Sequence, residues 1–116
     1  MNIYHIWFDL KAGVKDTDLT DALESYLGHL EAEGRLAGYR ITRRKLGFGH
    51  PNLPEWNVTI DFADLAQMDP AFATVATRAD PVEGLHHAVN SKVESIFFAL
   101  YRDFPDHARV RGQEKF

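Results

Sequence analysis

Two segments of the chain alternate between apolar and polar side chains, and this period of two constrains the fold more than any other feature. The clearer case is residues 55–62, whose apolar members are Trp56, Val58, Ile60 and Phe62. Asn2–Leu10 repeats the pattern with Tyr4, Ile6, Phe8 and Leu10 on one side. Alternation of aromatic and β-branched residues is typical of strands with one buried face. Both segments are therefore predicted to be strands.

Helical spacing follows the first strand and returns late in the chain. Apolar residues recur every three or four positions from Leu19 to Leu30, which predicts an amphipathic helix. The pairs Asp69-Pro70 and Asp80-Pro81 each place an N-cap residue before a proline at the first helical position. The helix predicted from Pro81 carries an apolar stripe of Val82, Leu85, Val89 and Val93.

Two further strands complete the order. One is predicted over residues 36–46, before a loop rich in Gly and Pro, and the last over residues 96–103. The order strand, helix, strand, strand, helices, strand predicts an α+β fold: a ferredoxin-like βαββαβ sandwich with a four-stranded antiparallel sheet and helices on one face. Residues 1–104 would form this single domain, followed by a polar C-terminal tail at residues 105–116.

The sheet face turned away from the helices carries the side chains that suggest chemistry. Strand alternation places polar and charged residues there together with one tryptophan. These residues are His5, Trp7, Asp9, Arg40, Thr42, Arg44, Asn57, Thr59 and Asp61. A tryptophan, a histidine and charges of both signs on adjoining strands form the first candidate site.

The chain resembles the dimeric α/β-barrel superfamily, and within it a small group of uncharacterised bacterial proteins. The resemblance rests on the βαββαβ order, on the first strand Tyr4-His5-Ile6-Trp7-Phe8, and on the segments 85–90 and 98–104. It implies a homodimer in which two sheets pack face to face around a cavity. Members include cofactor-free and haem-degrading monooxygenases, isomerases such as muconolactone isomerase, and proteins with no known activity, so the fold leaves the reaction open.

Superfamily monooxygenases commonly use an Asn, a Trp and a His or second Trp around the cavity. Asn57, Trp7 and His86 or His87 supply these residue types here. In those enzymes Asn lies on the first strand and Trp on the third, whereas in this chain the two are exchanged. That exchange weakens an assignment to oxygenase chemistry. The simpler interpretation of His86 is a partly buried helix residue with one hydrogen bond.

The candidate site is assigned on chemical grounds. His5 and Asn57 are the predicted catalytic residues, because an imidazole can transfer protons near neutral pH. The predicted substrate-binding residues are Trp7, Asp9, Arg40, Arg44, Thr59, Asp61 and Tyr101. An Arg fork suits an anionic group such as a carboxylate. The alternative is that the charged members form ordinary cross-strand ion pairs on a solvated or dimer-facing sheet.

Composition excludes several classes of function and cofactor. The 116 residues include no Cys, which excludes disulfides and thiolate chemistry, and the net charge of −4 argues against nucleic-acid binding. No metal is expected, because the histidines lack i, i+4 spacing, and no cofactor is expected either. The absence of a long apolar run and of a signal peptide predicts a cytoplasmic protein with no membrane partner.

Two functional hypotheses follow from the sequence. In the first, a homodimeric α/β-barrel protein acts on a small organic molecule in the sheet cavity, in the manner of a monooxygenase or isomerase. In the second, the same fold is a non-enzymatic ligand-binding or structural dimeric module. Whether the protein is an enzyme stays open at this point.

Overall fold

The computed structural model describes residues 1–105 and 109–113, which form four strands and three helices. In chain order these are β1 (Asn2–Leu10), α1 (Asp16–Ala32), β2 (Gly38–Arg43), β3 (Trp56–Phe62), α2 (Leu65–Ala76), α3 (Val82–Asn90) and β4 (Val93–Arg102). This order, with an antiparallel sheet and the helices on one side, confirms the predicted ferredoxin-like fold.

The sheet has the strand order β2-β3-β1-β4, so the two alternating strands β1 and β3 lie at its centre. Their antiparallel register pairs Phe8 with Trp56 and Trp7 with Asn57. Because successive side chains point to opposite faces, the first pair faces the helices and the second faces away. We call the side with Tyr4, Ile6, Phe8, Trp56, Val58, Ile60 and Phe62 the covered face, and the opposite side the open face.

The hydrophobic core lies between the covered face and the helices. Phe8 is 2% exposed and Val58 is fully buried. The α1 residues of the core recur at helical spacing and are Leu19, Leu23, Leu27 and Leu30. Burial of these side chains is what fixes α1 against the sheet, since apolar burial is worth roughly 25 cal/mol per Å².

Several predicted boundaries are wrong, each for a local reason. β2 spans Gly38–Arg43 rather than residues 36–46, because the backbone turns at Leu46, which adopts a positive φ of 56°. Both Asp-Pro predictions are displaced: Pro70 lies inside α2, whose N-cap is Asp64 and not Asp69, and the N-cap of α3 is Pro81 and not Asp80. The Asp64 carboxylate accepts the backbone N–H of Gln67, and this cap starts α2 five residues earlier than predicted.

The last error concerns Val93, which the helical stripe assigned to the helix after Pro81. α3 ends at Asn90, and Val93 is the first residue of β4. Two backbone bonds fix the ends of this edge strand. Lys11 N–H donates to the carbonyl of Lys92 at 2.9 Å, and Asp103 N–H donates to that of Met1 at 3.1 Å. Between them the β1–β4 register shifts once, between Trp7 and Asp9.

The predicted C-terminal tail, residues 105–116, lies only partly within the described residues. In the described part, the Arg109 guanidinium lies over the Phe104 ring at 4.9 Å, and Gln113 N–H donates to the carbonyl of Val110 at 2.9 Å. The division into a domain at 1–104 and a tail stays a prediction.

Candidate functional site

A cavity of about 320 Å³ lies between the covered face and the three helices. Its floor is formed by β1 and β3 side chains, and its walls by α1, α2, α3 and β4. The floor residues are Tyr4, Ile6, Phe8, Val58, Ile60 and Phe62. The cavity is on the side of the sheet opposite to the predicted site residues. It is mostly apolar, because these are the same alternating positions that build the core.

Four polar side chains interrupt the apolar lining: Tyr4, Tyr26, His86 and Asn90. Tyr26 comes from α1 and His86 from α3, and their rings are in contact at 5.4 Å between centroids. Burial raises the pKa of Tyr26 to about 12, and the nearby charge of Glu83 and the neighbouring Tyr4 add to the shift. The Tyr26 phenol is therefore a neutral hydrogen-bond donor at physiological pH.

Aromatic side chains form one margin of the cavity along β4. The Tyr4 ring stacks on Phe98 at 5.8 Å and meets Phe72 edge-on at 5.2 Å. Phe98 is 60% exposed although it points toward the helix side of the sheet. Burial likewise raises the pKa of Tyr4. The cavity is thus bounded at the sheet edge by partly exposed rings.

On the open face, the structure brings four of the predicted residues together. Asn57 Nδ2 lies 3.5 Å from His5 Nδ1, and it also donates to the Ile6 carbonyl at 3.4 Å. The His5 ring stacks on Trp7 with centroids 5.2 Å apart and meets Tyr101 at 5.0 Å. The 3.5 Å contact between Asn57 and His5 is long for a hydrogen bond, so it orients the His5 imidazole weakly.

The remaining predicted residues divide into two groups. Asp9 and Arg44 make hydrogen bonds to the backbone of the β2–β3 loop. Asp9 Oδ1 accepts the Glu55 N–H at 2.9 Å, and the Arg44 guanidinium donates to the carbonyls of Leu53 and Pro54. The others, Arg40, Thr59 and Asp61, lie on the open face along β2 and β3.

The alternative of cross-strand ion pairs fails for these charges. Within residues 1–105 and 109–113, no ion pair joins Asp9 or Asp61 to Arg40 or Arg44. The salt-bridged arginine of this region is Arg43, which contacts Asp16 at 3.1 Å and Glu55 at 3.3 Å. It points to the covered face, where its guanidinium lies 5.0 Å from the Trp56 ring centroid.

Sequence reasoning missed Tyr26 as a site residue and placed His86 beside the apolar stripe with one hydrogen bond. The structure puts both in the cavity lining, and His86 contacts the Tyr26 ring. One signal was available. A tyrosine within a helical stripe of leucines carries a hydroxyl into apolar surroundings, where it needs a partner.

Among the residues that the structure describes, no group of three or more His, Asp or Glu side chains is placed to hold a metal ion. His50 instead uses Nδ1 to accept the Asn52 N–H at 3.1 Å within its loop. In the same part of the chain, none of the helices combines the length and apolarity that a membrane span requires.

Solved structures similar to this chain share its ferredoxin-like fold, and one of them is described as a dimeric ferredoxin-like protein. At3g17210 from Arabidopsis thaliana has a TM-score of 0.70 at 8% identity, covering 89% of this chain and 95% of that one. A dimeric ferredoxin-like protein of unknown function from Jannaschia sp. CCS1 has a TM-score of 0.64 at 12% identity, covering 89% and 100%. SnoaB, a cofactor-independent oxygenase from Streptomyces nogalater, has a TM-score of 0.66 at 7% identity, covering 90% and 97%.

The chain belongs to the family of unknown function DUF6614, which matches it over residues 1–116. No match was found among the curated proteins. The predicted resemblance to an uncharacterised family of dimeric ferredoxin-like proteins is therefore confirmed. At identities of 7–12%, the structural neighbours define the fold and leave the activity of this chain open.

Proposed function

We propose that this protein is a homodimer that binds a small, largely apolar organic molecule in the cavity beneath the helices of each protomer. The cavity itself is the observation that carries the proposal. Its volume of about 320 Å³ falls within the range of roughly 300–1,000 Å³ that is usual for small-molecule sites. An apolar lining with a few polar groups is also what such sites share.

The exposed aromatic side chains of the open face support the proposed homodimer. Phe97 is 52% exposed and lies opposite Trp7, and Tyr101 is 59% exposed and contacts His5 on the same face. Exposed aromatic side chains on an uncovered sheet face favour association, because aromatic residues are enriched in the buried cores of interfaces. The neighbour from Jannaschia sp. CCS1 is itself dimeric. Closed two-fold dimers are the commonest assembly of soluble proteins.

A second candidate places the ligand between the two open faces, on the predicted site residues. The observation that favours it is the contact of Asn57 Nδ2 with His5 Nδ1 at 3.5 Å, beside the Trp7 ring. In this arrangement His5 and Asn57 would act on the bound molecule, and Arg40 would bind an anionic group on it. Turnover of the monooxygenase or isomerase kind belongs to this same candidate. The cofactor-independent oxygenase among the neighbours supports it only at the level of the fold.

Blocking each space in turn distinguishes the two candidates. Ala71 lines the cavity and is 5% exposed, so Ala71→Phe fills the space beneath the helices. Thr59→Phe places the same ring on the open face. Binding of naphthalene, measured by equilibrium dialysis on variants shown to be folded by thermal melting, should fall at least tenfold in Ala71→Phe and stay unchanged in Thr59→Phe. The reverse result would assign the ligand site to the space between the two open faces. Failure of the wild-type protein to bind naphthalene would reject the proposal.

A further inference from the structure

Two of the polar side chains that line the cavity, Tyr26 and His86, lie in contact with each other. Tyr26 and His86 come from different helices and meet there, with ring centroids 5.4 Å apart and the ring planes inclined at 51°. Within the described ranges 1–105 and 109–113, neither the phenol hydroxyl nor the imidazole nitrogens make a hydrogen bond to another residue. Both side chains are half-buried, and they are among the few polar groups in an otherwise apolar lining. A ligand in the cavity can therefore pair with both of them.

We propose that Tyr26 and His86 together recognise one hydroxyl group on an otherwise apolar ligand. The Tyr26 hydroxyl donates to the oxygen of the ligand, and a neutral nitrogen of His86 accepts the proton of the same hydroxyl. The class of ligand is a small aromatic or alicyclic alcohol or phenol, whose carbon skeleton contacts the apolar lining. This inference rests on the proposed function and names the chemistry at one end of its cavity.

A hydroxyl fits this end better than the other common oxygen groups. An ether can accept from Tyr26 and offers nothing to His86. A carboxylate would meet no Lys or Arg among the described residues that line the cavity. It would also lie near Glu83, whose negative charge already contributes to holding the Tyr26 phenol in its neutral form. Burying an unpaired charge in an apolar site is costly, so an anionic ligand is disfavoured.

Three probes of one skeleton test the inference. Naphthalene, 2-methoxynaphthalene and 2-naphthol differ in whether they can accept and donate a hydrogen bond. We expect the full-length protein to bind 2-naphthol about tenfold more tightly than either of the others, which corresponds to the net strength of one to two hydrogen bonds. Equilibrium dialysis of all three probes measures this preference directly.

Matched variants assign the preference to the two residues. Tyr26→Phe and His86→Leu should each reduce the advantage of 2-naphthol over naphthalene to less than about threefold, while naphthalene itself still binds. The controls are Tyr39→Phe, whose hydroxyl is outside the cavity lining, and His87→Leu, the exposed neighbour of His86 on α3. Both controls should keep the full preference. If Tyr26→Phe does not fold, His86→Leu decides the test.

The outcomes separate this inference from the proposed function. If none of the three probes binds, the proposed function fails. If all three bind with equal affinity, or if the variants keep the preference, the cavity binds ligands but Tyr26 and His86 do not select a hydroxyl. Tighter binding of 2-naphthoic acid than of 2-naphthol would also overturn the inference, because it would show that the site prefers an anion.

Discussion

The covered and open faces are made of the same strands, and alternate residues along each strand contribute to one or the other. On β3 the covered side is apolar at every position from Trp56 to Phe62, and each of these residues is buried. The open side of the same strand carries Asn57, Thr59 and Asp61, which are only partly buried. The helices account for the difference, because they exclude water from one face and leave the other face without a layer.

This comparison shows that the polar side chains and the cavity indicate sites on opposite faces of the sheet. The polar and charged residues drew the predicted site to the open face, where His5 and Asn57 do come together. The enclosed volume, however, is on the covered face, and it becomes visible only once the helices are positioned. A site that needs water to be excluded is favoured where packing already excludes it.

The largest expected effect tests the covered face as the stabilising one. Phe8→Ala should lower the free energy of unfolding by about 3–5 kcal/mol, because it removes a ring buried against Trp56 at the centre of the sheet. Urea denaturation gives this value. The control is Thr59→Ala on the open face, which should cost less than about 1 kcal/mol. Equal losses in the two variants would contradict the assignment of the core to one face.

Adjacent phenylalanines on β4 test which face carries the dimer. Phe97 points to the open face and Phe98 to the cavity side, and the two are similarly exposed at 52% and 60%. Phe97→Ser should weaken self-association at least tenfold, since it removes an exposed aromatic ring that the proposed dimer would bury. Phe98→Ser should leave association unchanged and weaken naphthalene binding instead.

Light scattering over a concentration series makes this measurement. The wild-type protein should show twice the chain mass of 13.2 kDa at micromolar concentration. A wild-type protein that remains at 13.2 kDa, or a Phe98→Ser variant that dissociates as readily as Phe97→Ser, would count against the open face as the interface.

Titration of Tyr26 tests how well the covered face excludes water. Its pKa is raised from 10.0 to about 12 in the folded protein, so the neutral phenol stabilises the fold below pH 10 and this contribution is lost as the pH rises through 12. After discounting for partial exposure, the loss is on the order of 1 kcal/mol. Tyr4 and Tyr39 shift in the same direction. The free energy of unfolding between pH 9 and pH 12 should therefore fall less in Tyr26→Phe, and an unchanged pH dependence would contradict the burial of its hydroxyl.

The smallest expected effect is a difference in folding stability between alanine variants of two β2 arginines. Arg43 extends over the Trp56 ring and pairs with Asp16 and Glu55, whereas Arg40 lies exposed on the open face. Arg43→Ala should cost about 1 kcal/mol, because surface ion pairs and cation–π contacts each contribute a fraction of that value. Arg40→Ala should change stability by less than about 0.5 kcal/mol. Parallel urea titrations of the two variants measure the difference.

Most of the fold could be predicted because its central elements have strong periodic patterns. β1, β3 and α1 combine clear alternation or helical spacing with residues that favour those structures. The errors are where local signals compete. An Asp-Pro pair marked a helix start at Asp69, but the Asp64 cap begins α2 earlier, and Val93 fits both a helical stripe and a strand. Such boundaries depend on tertiary packing.

The candidate site could be predicted only in part. Strand alternation correctly grouped His5, Trp7 and Asn57 on one face, because that grouping follows from the backbone alone. The pairing of Tyr26 with His86 could not be predicted, since it depends on how α1 and α3 pack against each other. Residues 60 positions apart on different helices share no pattern that a single sequence reveals.

The two backbone bonds at the ends of β4 have a consequence for how reliably this strand finds its place. In most half-buried strands, a slip of one residue would move apolar side chains into water and is strongly resisted. Here a slip would exchange Phe97 for Phe98, so each face would still receive a phenylalanine. The register of the strand is therefore set by the β1–β4 ladder, which the bonds from Lys11 to Lys92 and from Asp103 to Met1 extend at its two ends. A strand paired one residue out of register would present Phe97 to the cavity and Phe98 to the proposed dimer surface.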